Sequence, residues 1–436
     1  MEWYVVGPLL MSLFIALLLL GMPIAFAFGT ATVIGFVFWG NQSFQLIPLI
    51  AHDTFNSFVL TSVPLFILIA EILIYTRINE DLYAALERWV GWLPGGLGVA
   101  SILACAGFAA TTGSSVATAA TMGRVAMPQM ITRGYDKRFT AGILASGGTL
   151  GILIPPSLTM IIYGIMTETS IARLFIAGVV PGIILTLIFC AYIIIRTKAS
   201  PKMAPAAPPF PWGERWRSLP KALPVAVLAG VIMGSIYMGL ATPTEAAGLG
   251  VLTVLVISLA YRMLNWRNLN QALRSTVLTS GFIMLIVIGA KTLAGLLGLL
   301  EIPTQMAQVI GNWQVSPLVV LLAIEIVFII LGMFMEGMGI IVLTAPVFGP
   351  LINALGFDLV WFGVFTTINI ELALITPPVG VNVYVIQGIG KQHGITMGDA
   401  FRGIVPFCFL MLLVVAIITA FPSLATWLPE TVMGLK

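Results

Sequence analysis

The chain has 436 residues, 59% of them apolar and 8% charged, with a formal net charge of +3 and a mean hydropathy of +1.07. That composition excludes a water-soluble globule. The small positive excess reads as basic loops facing anionic lipid, with no nucleic acid implied.

Apolar runs follow one another along nearly the whole chain, and ten crossings are predicted, at roughly 4–20, 22–39, 57–76, 139–166, 174–196, 222–240, 246–263, 277–299, 359–388 and 404–421. The first carries Glu2 and no basic leader, so it is read as a retained span. Residues 77–92 set Ile78, Leu82, Leu86 and Trp89 on one face and predict an amphipathic helix lying in the interface. Its counterpart is 300–313, and weaker interfacial pieces are read at 263–276 and 212–216. The apolar stretches 95–131 and 315–353 carry polar and glycine residues at their middles, which predicts re-entrant hairpins. Residues 200–220, rich in Pro and Ala, form a cytoplasmic linker between a first repeat, 1–199, and a second, 221–436.

Basic loops stay cytoplasmic. Placing both termini in the periplasm puts Arg77, Arg88, Arg133, Lys137, Arg138, the basic residues of 196–221, Arg262, Arg267, Arg274, Lys391 and Arg402 inside. Arg173, Lys291 and Lys436 fall outside that set, and Arg124 lies within the first hairpin. Tryptophans such as Trp39, Trp89, Trp92, Trp212, Trp266, Trp313, Trp361 and Trp427 fall at predicted span ends. Cys105, Cys190 and Cys408 lie in apolar segments and suggest neither a disulfide framework nor a metal site. His52 and His393 fall in predicted loops on opposite faces, which supports no histidine metal site or proton relay. The Gly390-Lys391 pair is followed by Gln392, so no phosphate-binding loop for ATP is present.

One punctuation pattern occurs twice. Pro128, Gly134, Asp136 and Pro155-Pro156 recur 222 positions on as Pro350, Gly356, Asp358 and Pro377-Pro378. Residues 57–76 run inward and their counterpart 277–299 outward, so the copies read as inverted repeats, the signature of a transporter built by duplication. The expected fold is an all-α polytopic membrane protein with two re-entrant helical hairpins and two broken helices, over 139–166 and 359–388.

The chemistry gathers at the breaks. Non-helical backbone at membrane depth must be buried in protein or line a wet cavity, and small cations satisfy its free carbonyls. The first tip runs Thr111-Thr112-Gly113-Ser114-Ser115, and the proline pairs release carbonyls upstream of each break. Sodium is therefore expected on Gly113, Ser114, Ser115, Gly148, Thr149 and Gly151 in the first half. Glu336, Gly337, Gly339 and Thr376 form the matching set in the second half. Helix N-termini after the breaks suit an anionic solute, with Thr112, Ser157, Thr159 and Asn382 as the residues facing it. Glu371 beside the second break serves an ion site or a structural pair. Glu71 is expected to pair with a scaffold group, Lys291 to snorkel, pair with a glutamate or attract a carboxylate, and Arg124 to snorkel toward the cytoplasm.

These residues resemble a known family, the large membrane subunit of tripartite ATP-independent periplasmic (TRAP) transporters, the DctM-like family. The resemblance covers essentially the whole chain. It is carried by Ser62-Val63-Pro64-Leu65-Phe66-Ile67, Leu93-Pro94-Gly95-Gly96-Leu97, Gly113-Ser114-Ser115-Val116-Ala117-Thr118, the run from Gly148 to Ser157 through Pro155-Pro156, and Thr376-Pro377-Pro378-Val379-Gly380-Val381-Asn382. It departs in the second tip, where Glu336-Gly337-Met338-Gly339 stands in place of an aspartate and a stiffer turn, and at Lys291. The resemblance implies a sodium symporter in the bacterial inner membrane, working without other cofactors by an elevator mechanism. It also implies a small four-span DctQ-like partner subunit and a periplasmic binding protein that delivers a carboxylate. Two other readings stand beside it: a sodium/dicarboxylate-type symporter without a binding protein, and an intramembrane enzyme. Against the enzyme, no Ser-His or paired-Asp arrangement falls within the spans.

Overall fold

The computed structural model describes residues 3–40, 43–205, 208–312, 316–332 and 334–434, and no strand occurs among them. Glu2, Trp313, Val315 and Lys436 lie outside the described residues. The first half runs α1 (Trp3–Leu19), α2 (Ile24–Phe38), α3 (Leu46–Phe55), a 3-10 turn (Val59–Thr61), α4 (Ser62–Ile74), α5 (Ile78–Val90), α6 (Gly96–Thr112), α7 (Ser115–Thr132), α8 (Lys137–Leu153), α9 (Leu158–Met166) and α10 (Ile171–Ala199). The second runs α11 (Trp212–Tyr237), α12 (Pro243–Ala260), α13 (Trp266–Leu299), α14 (Ile302–Asn312), α15 (Pro317–Gly332), α16 (Gly337–Ala354), α17 (Leu359–Ala373), α18 (Val381–Gly390), α19 (Met397–Ala420) and α20 (Ser423–Met433).

Local chemistry explains why helices start and stop where they do. Gly134 and Gly356 take positive φ (79° and 82°), which only glycine adopts at little cost, and turn the chain after α7 and α16. Two residues later Asp136 and Asp358 cap the next helices: Asp136 Oδ1 accepts from Phe139 N at 3.0 Å, and Asp358 Oδ1 accepts from Val360 N at 2.7 Å and Trp361 N at 2.9 Å. Both proline pairs end a helix, and both are cis.

Burial separates two neighbourhoods. Every residue from Phe139 to Leu153 in α8 and from Val360 to Ala373 in α17 is buried, as expected of helices apolar on all sides. Around them α7 packs on α18, α16 on α9, and α8 on α17 and α19. On the other side α13 packs on α2 and α4, α12 on α4, and α11 on α5. This second group exposes Leu252, Val256, Leu259, Val277 and Leu278, an apolar surface suited to lipid.

Several expectations are corrected. Among the described residues six helices are long and apolar enough to cross a membrane, or up to eight if each bent pair counts once, against the ten crossings expected. Ile24–Phe38 is apolar but has only 15 residues, about 22 Å at 1.5 Å per residue, short of a hydrocarbon core of about 30 Å. Residues 263–276 are not a separate interfacial helix. Asn265 Oδ1 caps Asn268 N at 2.8 Å, and α13 then continues for 34 residues. Residues 212–216 are the first turn of α11, which shortens the linker expected over 200–220. His52 lies in α3 rather than a loop. Trp361 is 1% exposed instead of sitting at an interface; its indole Nε1 donates to Ile418 O at 2.9 Å, and Phe357 and Phe365 stack on it.

Candidate functional site

The first tip is pressed onto the first break. Gly113 turns with φ +62° between α6 and α7, and a methyl group there would meet Pro156 O at 2.6 Å. Leu158 N, at the start of α9, donates to Gly113 O at 3.3 Å. Ser114 caps α7 by accepting from Ala117 N at 3.3 Å, and its carbonyl accepts from Thr118 Oγ1 at 2.8 Å. Gly151 faces that carbonyl so closely that a methyl group would sit 2.5 Å from Ser114 O and 2.7 Å from Thr118 Oγ1. Glycine is required at Gly113 by conformation and at Gly151 by proximity.

The two halves of the chain meet at Ser115. Its hydroxyl lies 3.1 Å from Gly148 O, 3.1 Å from Glu371 Oε2, and accepts from Asn382 Nδ2 at 2.7 Å. Glu371 Oε1 accepts from Ile152 N at 3.2 Å. Glu371 and Asn382 are 0% exposed and Ser115 is 3% exposed. One hydroxyl proton cannot serve both Gly148 O and Glu371 Oε2, and Asn382 Oδ1 is buried without a hydrogen-bond partner. The cluster therefore has more acceptor oxygens than donors, and it combines a carboxylate, a carbonyl, a hydroxyl and an amide oxygen in one buried place. Such a donor set fits a hard monovalent cation.

The second tip is arranged differently. Glu336 is exposed and starts α16 in extended conformation, φ −77° and ψ 163°, without capping it through its side chain. Gly337 leans on both broken helices: a methyl group would meet Ile370 Cγ2 at 2.8 Å and Ile152 Cδ1 at 3.9 Å. Gly339 faces Ile24 instead. Thr376 Oγ1 donates to Leu372 O at 2.6 Å, and among the described residues no hydrogen bond joins it to Glu336, Gly337 or Gly339.

Other expected site residues have local partners. Thr149 Oγ1 donates to Ser146 O at 2.6 Å within its own helix. Ser157 caps α9 by accepting from Met160 N at 3.2 Å. Thr112 Oγ1 donates to Phe108 O at 3.2 Å and lies 3.4 Å from Thr118 Oγ1. Thr159 is buried. Asn382, expected to face solute, sits in the cluster of Ser115 and Glu371. Sequence reasoning left Glu371 between an ion site and a structural pair. The signal that singles it out is a carboxylate six residues before the second proline pair, in a helix that carries no other charged residue. Glu71 has a scaffold partner in Ser275, whose Oγ donates to Glu71 Oε1 at 2.6 Å. Lys291 lines a cavity of about 650 Å3 with Glu168, Ser57, Thr169 and Thr244. Arg124 is exposed and lines a cavity with Lys391. Among the described residues no group of three or more His, Cys, Asp or Glu is placed to hold a metal ion, so any cation would rest on neutral oxygens with at most one or two carboxylates.

A family model described as "Tripartite ATP-independent periplasmic transporter, DctM component" matches residues 11–424. The chain is 35% identical to the C4-dicarboxylate TRAP transporter large permease protein DctM of Pseudomonas aeruginosa, covering 92% of this chain and 93% of that one. It is 32% identical to the protein of the same description from Vibrio cholerae, covering 98% of each. Its fold is similar to that of the Alcanivorax borkumensis YdaH transporter, with a TM-score of 0.61 over 88% of this chain and 89% of that one at 16% identity.

Proposed function

This chain belongs to the DctM component family of TRAP transporters, and from that premise we propose that it is the large permease subunit of a sodium-coupled uptake system for a carboxylated organic solute. The names of the two relatives support a carboxylate as cargo. The tripartite description favours delivery by a periplasmic binding protein, together with a separate small membrane subunit, over a stand-alone symporter. The chain is a transporter of the bacterial inner membrane with both termini periplasmic, in the orientation that keeps its basic loops inside.

The observation that carries the coupling is the acceptor-rich cluster of Ser115, Gly148, Glu371 and Asn382. It joins the first tip to the second broken helix across 256 positions of sequence. A sodium ion there would take the oxygens that the hydroxyl's single proton leaves unsatisfied, with Gly113, Ser114, Thr149 and Gly151 shaping the pocket around them. A second ion is assigned to Glu336, Gly337, Gly339 and Thr376. The solute lies between the tips, with Thr112, Ser157 and Thr159 of the first half assigned to face it.

Residues 1–199 and 221–436 act as inverted repeats joined by the linker. The group built on α6–α9 and α15–α18 moves as an elevator against the group of α1–α5 and α11–α14. Sodium titration of thermal unfolding, with potassium as control, tests the coupling without knowledge of the solute. The wild type should be stabilised by sodium selectively, and Ser115→Ala and Glu371→Gln should lose most of that selectivity. Equal sodium and potassium shifts in the wild type, or an unchanged sodium shift in both variants, would remove the ion site.

A further inference from the structure

Where α7 crosses α18, a cavity of about 540 Å3 is lined by Arg124, Gly388, Ile389, Lys391 and Gln392. The crossing is close: a methyl group at Gly123 would meet Ile386 Cδ1 at 2.9 Å and Ile389 Cδ1 at 3.0 Å. Where α16 crosses α9, a second cavity of about 350 Å3 is lined by Met166, Thr167, Glu168, Pro346 and Gly349 among others. The two are copies of one place. Arg124, Gly388 and Ile389 stand 222 positions from Pro346, Met166 and Thr167 respectively. Their charges are opposite, because the first has two cations and no acid among its lining residues and the second has Glu168 and no base.

We propose that the cavity of Arg124 and Lys391 is an anion site on the exit path, which holds the solute's carboxylate as it leaves toward the cytoplasm. The inference rests on the orientation and direction of transport argued above. Two cations converging on one concave mouth raise the local concentration of anions and exclude other cations. The guanidinium of Arg124 can clamp a carboxylate with two parallel hydrogen bonds, while Lys391 adds a point charge. The sister cavity, where Pro346 stands in the place of Arg124 and Glu168 is in the lining, disfavours anions. The pair of mouths is therefore electrostatically polarised in the direction of uptake.

The test uses the full chain with its small subunit in inside-out membrane vesicles, a membrane-impermeant amine-acylating reagent, and mass spectrometry of the peptides. Succinate, against chloride at equal ionic strength, should slow acylation of Lys391 several-fold and leave that of Lys202 unchanged. Arg124→Gln should abolish the protection. Equal Lys391 rates in wild type with and without succinate would overturn the site. Protection that follows phosphatidylglycerol in the vesicles rather than succinate would make it a lipid headgroup site and would also overturn the proposal. Succinate protection found only in right-side-out vesicles would overturn the exit assignment, and the proposed topology with it.

Discussion

Gly151→Ala tests whether the first tip must close on the broken helix for sodium to bind. The added methyl group would sit 2.5 Å from Ser114 O, a backbone atom, so the tip must retreat by about 0.9 Å to reach an ordinary contact of 3.4 Å. Thr118 offers no slack, since its hydroxyl would lie 2.7 Å away and is tied to the same carbonyl at 2.8 Å. Overpacking of this kind costs about 1–3 kcal/mol. If that cost falls on the cation-bound arrangement, sodium affinity drops roughly five- to 150-fold at about 1.4 kcal/mol per factor of ten. Gly281→Ala is the matched control, because nothing lies within 4 Å of a methyl group there. That change should leave sodium affinity alone and stabilise α13 by about 0.5 kcal/mol or more. The assay is the unfolding temperature of the purified protein against sodium concentration at constant ionic strength. A sodium midpoint for Gly151→Ala equal to that of Gly281→Ala would refute the requirement for close approach.

Ser115→Ala and Thr376→Ala should each weaken the sodium dependence of solute uptake in proteoliposomes, and sodium curves unchanged in both would withdraw the two-ion assignment. Asp358→Ala removes the acceptor for Val360 N and Trp361 N and should cost about 1 kcal/mol. Amide exchange at those two positions should rise, whereas Asp358→Asn should retain most of the protection. A methyl group at Gly403 would collide with the carbonyl oxygen of Arg138, and one at Gly142 with that of Gly403. Because backbone cannot swing aside, Gly403→Ala should cost more than about 3 kcal/mol, read as loss of the monodisperse peak in gel filtration. A Gly403→Ala protein that melts like the wild type would show that α8 and α19 can separate without penalty.

The breaks were legible because they are local. Proline without an amide hydrogen, glycine at positive φ and aspartate as an N-cap act within a few residues of themselves. Gly134, Asp136 and the 155–156 pair and their partners 222 positions on therefore read directly from the chain. Helix α13 was misread for a related reason. Arg267, Asn268, Gln271 and Arg274 look like an interfacial segment, but a cap at Asn265 lets the helix run on without a break. Trp361 was misplaced because an indole seeks either an interface or a buried acceptor, and only packing supplied Ile418 O.

Composition and spacing by themselves determined the solvent of this protein, its all-helical class, its duplicated punctuation and its family resemblance, because each depends on residue type and on distance along the chain. Only the tertiary structure decided that Glu371 and Asn382 join Ser115 and Gly148. It also decided that Arg124 and Lys391 share a cavity. Ser115 stands 256 and 267 positions from Glu371 and Asn382, Arg124 is equally remote from Lys391 in sequence, and no local preference encodes which helix crosses which. That choice belongs to the shape of the packed interior, where small residues let backbones approach and buried polar groups must find one another.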